Sequence, residues 1–349
     1  MEAIWYLIIA LMLVAYVVLD GFDFGAGILH QFVAKNDGER RQVISAIGPV
    51  WDGNEVWLLA AGGITVFAFP KAYATGFSGF YLPLMMALWL LIFRGLSIEF
   101  RSKESAPLWR SFWDGAFSVS STLMAVILGA ALGNLIRGVP IDDKGWFSGP
   151  LFTNFLPGVH PGVLDWFTIL VGVFATVTLA LHGATYLVWK TDGPVRERSA
   201  KLGAMLVPVV GLVMVVVTAA TLFVQPVMKE AVFARPIIWV LPVLAIASLI
   251  SIRIQLAKGK DLPAFLSSVL FIAALLGATA ASAWPNILIS TINPAFTLTA
   301  ANASNEPATL LGGLIWWSIA ISIAIGYFVY LFRSFRGKVS VSNDTYGGH

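Results

Sequence analysis

Apolar runs of about twenty residues, the length that crosses a bilayer core as a helix, recur along almost the whole chain between short polar stretches. They predict nine spans, at roughly 3–33, 46–69, 76–98, 112–136, 163–189, 202–224, 236–256, 262–283 and 308–333. The longest connections are 137–162 and 284–307, and no soluble domain interrupts the series. The expected fold is an all-α polytopic membrane protein, four-helix bundles plus one extra helix. A single integral-membrane domain covers 1–333, and 334–349 is a polar cytoplasmic tail expected to be mobile. The start shows no cleavable-signal pattern, so the first span is expected to be retained.

Composition supports the same class. Hydrophobic residues make up 58% of the chain and charged residues 12%, with a mean hydropathy of +0.82, far from a soluble domain. Charge distribution then orients the spans. Lys35, Arg40, Arg41, Arg94, Arg101, Lys103 and Arg110 fall on one side of the alternating loops. So do Lys190, Arg196, Arg198, Lys201, Arg253, Lys258, Lys260, Arg333, Arg336 and Lys338. Only Lys71, Arg137, Lys144, Lys229 and Arg235 fall on the other. This places the N-terminus outside and the C-terminus in the cytoplasm. Topology thus accounts for the basic residues, and nucleic-acid binding has no support. Tryptophans at span ends, among them Trp5, Trp51, Trp113 and Trp284, read as interfacial belts.

Cysteine is absent, which excludes thiolate metal sites, and there are only 4 histidines. No dinucleotide fold, Walker A, zincin or nucleophile-elbow motif is present. The chemistry therefore rests on charges inside spans, which are costly and usually functional or paired. Asp20 and Asp23, in "DGFDFGAG", are spaced i, i+3 on one helix face. Glycines 21 and 25 allow another helix to approach closely. The pair either fixes helix register through hydrogen bonds or handles protons. Asp52 and Glu55, in "WDGNEVW", repeat the spacing at the start of the second span, where helix-dipole compensation explains Asp52 better than Glu55. Arg94 is a candidate ion-pair partner for Asp52 or Glu55, and Asp114 reads as a helix-start acid. His30 and His182 are the only histidines inside spans; each could ligate haem, carry protons or simply pack.

Several strings, taken in order, resemble subunit II of the cytochrome bd family of quinol oxidases: "DGFDFGAG", "NDGERR", "WDGNEVW", "GFSGFY", "FRSK", "FWD", "GNLIRGVP" and "GATYL". The resemblance runs from about 15 to 190; beyond that it lies in span count and the loop "NPAFTLTAANASN". It implies a bacterial or archaeal plasma-membrane protein paired with a larger subunit I, which ligates two haems b and one haem d. That complex oxidises quinol and reduces O2 to water with cytoplasmic protons. Subunit II ligates no haem, some relatives hold a structural quinone, and a small single-span third subunit can be present. Carried over, Asp52 lies on a proton path toward subunit I, with Asp20, Asp23 and Glu55 in less defined roles. This chain has Glu55 where certain relatives have Gln, and His182 where some have Gln. The competing class is a proton-coupled secondary transporter using the same acids, which calls for inverted repeats around a midplane site. None is evident here.

Overall fold

The computed structural model describes residues 1–340, so 341–349, the end of the expected tail, lie outside the described residues. Of the described residues, 78% are helical. Its helices are α1 (Glu2–Val33), α2 (Asp37–Ile47), α3 (Trp51–Ala68), α4 (Pro70–Gly79), α5 (Tyr81–Phe100) and α6 (Pro107–Arg137). They continue as α7 (Trp166–Lys190), α8 (Gly193–Val224), α9 (Pro226–Ala234), α10 (Val240–Ala257), α11 (Asp261–Ala283) and α12 (Pro307–Ser334).

Among the described residues, 8 helices are long and apolar enough to cross a membrane: α1, α5 to α8, α10 with its 3-10 lead-in, α11 and α12. The expected second span corresponds to α3, which has 18 residues but carries Asp52, Asn54 and Glu55 in its first turns. Those side chains depress its hydropathy, and it falls outside the eight. The expected third span divides. Pro70 starts α4 after Phe69, as proline favours a first helical position, and α5 begins only at Tyr81.

Helix α1 is central and packs against α3, α6, α7 and α11. Small residues make this possible, since helices in lipid associate by close packing rather than by hydrophobic expulsion. A Cβ at Gly25 would lie 2.0 Å from the Leu179 carbonyl oxygen, and one at Gly183 would lie 2.2 Å from the Gly25 carbonyl carbon. The α1 and α7 backbones are therefore in contact. Gly27 gives α6 the same access, at 2.1 Å from Ser121 Oγ.

The connections gather at two ends. At the basic end, Gln42 binds Asp192, Arg198 binds Glu39, and Lys338 binds Asp261. At the opposite end, Thr75 donates to the Gly145 carbonyl, Gln225 to Ile136, Arg235 to Trp284 and Asn305 to Phe67. There a short antiparallel ribbon, β1 (Asn286–Leu288) with β2 (Leu298–Thr299), lies in the loop before α12. Asp165 caps α7 through a reciprocal pair with Thr168 and also takes the Arg137 guanidinium.

Two expectations change. The first residues of the tail are docked rather than mobile: Val339 N donates to the Lys190 carbonyl at 2.7 Å, and Gln42 donates to the Val339 carbonyl at 2.7 Å. Trp5 and Trp113 are buried packing residues rather than belt residues. Trp5 donates its indole N–H to the Leu310 carbonyl and stacks edge-on against Phe67.

Candidate functional site: a buried ionic cluster

The i, i+3 spacing of Asp20 and Asp23 puts both carboxylates on the α1 face covered by α3 and α5, and both are fully buried. Arg94, from α5, is buried completely between them and α3. Its Nη1 donates to Asp20 Oδ1 at 2.5 Å, its Nη2 donates to Glu55 Oε2 at 2.8 Å, and its plane lies 4.2 Å over the Phe24 ring. Arg94 thus bridges Asp20 and Glu55 and does not reach Asp52. Arginine suits this place because its rigid fork reaches two carboxylates while its weakly hydrated plane accepts an aromatic face.

Asp23 is held differently. Asn54 Nδ2 donates to Asp23 Oδ2 at 2.8 Å and to the Leu19 carbonyl at 3.2 Å. Nothing in the sequence singled out Asn54 beyond its place between the two acids of "WDGNEVW"; it faces inward because it lies half a turn from Asp52. Tyr16 Oη, Asp20 Oδ2, Asp23 Oδ1 and Asn54 Oδ1 are buried and make no hydrogen bond among the described residues. Three carboxylates meet one guanidinium, so the cluster balances its charge only by also holding protons or another cation. A buried charge left uncompensated costs several kcal/mol, on the order of 3–5 when one partner of a pair is removed.

Glu55 sits at the margin, its side chain 24% exposed. Asp52, one turn nearer the basic end on the same α3 face, is exposed on the outer surface of the chain. The structure therefore joins Asp20, Asp23, Glu55 and Arg94 in one cluster and leaves Asp52 outside it.

A second cluster was not foreseen. Asp114 lies two turns into α6 rather than at its start. It accepts from Arg101 Nε at 2.6 Å and Arg40 Nη1 at 3.0 Å, and its Oδ1 is 2.6 Å from His30 Nε2. Arg101 and Arg110 also reach Asp37 of α2, each at 2.9 Å. Its members are far apart in sequence, so spacing alone could not reveal it.

The two span histidines are held differently, and His30 Nδ1 makes no hydrogen bond among the described residues. His182 uses both ring nitrogens, Nδ1 with Ser268 Oγ at 2.7 Å and Nε2 with the Val18 carbonyl at 2.9 Å, and Phe265 stacks on its face. His30 is fully buried, with Asp114 on Nε2 and Phe117 edge-on at 5.3 Å. Both are packing and hydrogen-bonding residues here.

The comparisons with known proteins decide the class. The family model described as cytochrome bd terminal oxidase subunit II matches residues 1–335. The chain belongs to that family. Among relatives, cytochrome bd ubiquinol oxidase subunit 2 of Bacillus subtilis is 31% identical, with 97% of this chain and 96% of that protein covered. Cytochrome bd-I ubiquinol oxidase subunit 2 of Escherichia coli is 30% identical, covering 97% of this chain and 94% of that one. The bd oxidase structure from Geobacillus thermodenitrificans has a chain of the same fold, with a TM-score of 0.75 at 17% identity, over 96% of this chain and 98% of that one. For this subunit II, the ionic cluster joins acids of the "DGFD" and "WDGNE" segments through Arg94 of α5.

Proposed function

We propose that this chain is the non-haem subunit II of a bd-type terminal quinol oxidase in a bacterial plasma membrane. The family match across residues 1–335 carries the reading. Its partner is a haem-bearing subunit I, and the complex oxidises quinol and reduces O2 to water with cytoplasmic protons. Haems b and d belong to subunit I in this reading. The resemblance adds a structural quinone and a small third single-span subunit, neither with an assigned residue here. A proton-coupled transporter is not favoured, because the match extends over nearly the whole chain.

Within the complex, this chain stabilises subunit I and contributes a proton path. Asp52, on the exposed face of α3, collects protons at the basic end. Glu55 lies one turn deeper on the same face and is tied through Arg94 to Asp20, with Asp23 three residues on. The unsatisfied Tyr16, Asp20, Asp23 and Asn54 atoms support a polar interior beyond Glu55. Replacing Asp52 by Asn is expected to lower turnover while haem content and assembly stay intact, as read by oxidase assay and a reduced-minus-oxidised spectrum. Unchanged activity at every pH removes the path, and loss of haem makes Asp52 structural.

The topology follows the same reading, with the N-terminus outside, the basic end cytoplasmic and α3 a ninth span. Helix α3 supports this by running beside α1 from Asn54, at Leu19 and Asp23, to Phe67, 5.2 Å from Trp5. That is 13 residues of rise, about 20 Å. Helices α1, α3, α5 and α6 form one four-helix group and α7, α8, α10 and α11 another, with α12 the extra helix.

A further inference from the structure

The docked C-terminal segment roofs a cavity of about 230 Å³ at the basic end, lined by Ser45, Tyr186, Lys190, Phe332, Arg336 and Lys338 among others. Among the described residues no carboxylate lines it, and none of the proton-path acids belongs to it. Lys190 ends α7 and is only 7% exposed. Its ammonium makes one hydrogen bond, to the Phe335 carbonyl at 2.7 Å, and otherwise lies 5.4 Å from the Trp189 ring centroid. An ammonium has three protons to donate, and a buried cation without an anion is costly. Lys338 differs, because Asp261 neutralises it at 2.6 Å. Arg336 is exposed and makes no ion pair among the described residues. Among the described residues the site thus offers two cations without a counter-ion, one buried and one at the rim, over an apolar wall that includes Val50 and Phe332.

We propose that this cavity binds a phosphate group, with Lys190 as the inner cation and Arg336 closing on the outer oxygens. The phosphate is carried either by a phospholipid of the adjoining leaflet or by a soluble phosphate ester. Lys190 also pins the segment through Phe335, so ligand binding and docking of 335–339 are coupled. The site is independent of the proton path, and its test does not read oxidase activity.

The purified complex is compared as wild type, Lys190→Gln and Arg336→Gln, by native mass spectrometry for retained phospholipid. Equilibrium binding of radiolabelled orthophosphate to the delipidated complex is measured in parallel. Wild type is expected to show one saturable site, which Arg336→Gln weakens about tenfold, the worth of one charge-assisted bond, and Lys190→Gln abolishes. Retained lipid without orthophosphate binding assigns the phosphate to a lipid; orthophosphate binding assigns it to a soluble ester. Should Lys190→Gln fail to assemble, Arg336→Gln, an exposed position, decides alone. Absence of both ligands in wild type, or equal binding in all assembled forms, overturns the proposal.

Discussion

Arg94 holds two carboxylates at once, Asp20 through Nη1 and Glu55 through Nη2, and is itself completely buried. Losing it leaves two acids without their cation. Arg94→Gln is expected to destabilise the complex by about 3–5 kcal/mol, read as a lower melting temperature. Arg94→Lys does not restore stability, because a point charge cannot present the planar fork. Asn54→Ala removes the only side-chain donor to Asp23 among the described residues and is expected to cost about 1–3 kcal/mol in the same melting assay. The acids themselves were legible from their spacing inside apolar runs. Asn54 was not, because a polar residue near a helix start reads as solvated until a neighbouring helix covers it.

Helix α2 lies outside the spans and is held by ions. Burial acts to raise Asp37, but hydrogen bonds from Arg101 and Arg41 outweigh it and hold its carboxyl below the usual range. Glu39 is lowered the same way, by Arg198 and the Lys35 amide, against burial. A depressed folded pKa contributes stability above the unfolded value, about 3.9–4.3, that is lost as pH falls through the folded one. The melting temperature is therefore expected to drop on acidification below about pH 4, and Glu39→Gln should flatten that slope. The closest α1–α7 approach, at Gly25 and Gly183, is a backbone contact with no room for a Cβ. Gly25→Ala is expected to prevent assembly, whereas Gly62→Ala, with nothing within 4 Å of its added Cβ, is expected to be neutral or to stabilise by about 1 kcal/mol through helix propensity. Yield and melting of the two variants separate the effects.

At the scale of the whole molecule, the absence of cysteine gives a clean topology test. Single substitutions Lys35→Cys, Lys71→Cys and Ser304→Cys can be labelled by an impermeant thiol reagent in intact cells. Lys71→Cys and Ser304→Cys are expected to react from outside, and Lys35→Cys only after permeabilisation. Equal accessibility of Lys35→Cys and Lys71→Cys would rule out α3 as a span.

The sequence by itself determined the membrane class, eight of the spans, the family and the acids of the ionic cluster. Each rests on a local signal: a run of apolar residues, a short motif, or a helical spacing that survives whatever the helix packs against. Tertiary structure decided which partners those groups find. It joined Arg94 to Asp20 and Glu55 and turned Asp52 outward. It made Asp114 a hub for Arg40, Arg101 and His30, and it docked residues 335–339 over Lys190. Such pairings depend on how far helices approach and rotate, which glycines such as Gly25 and Gly183 permit but which no periodicity along one helix encodes. A charge reads the same in sequence whether it meets lipid, water or a counter-ion, and only packing supplies the difference.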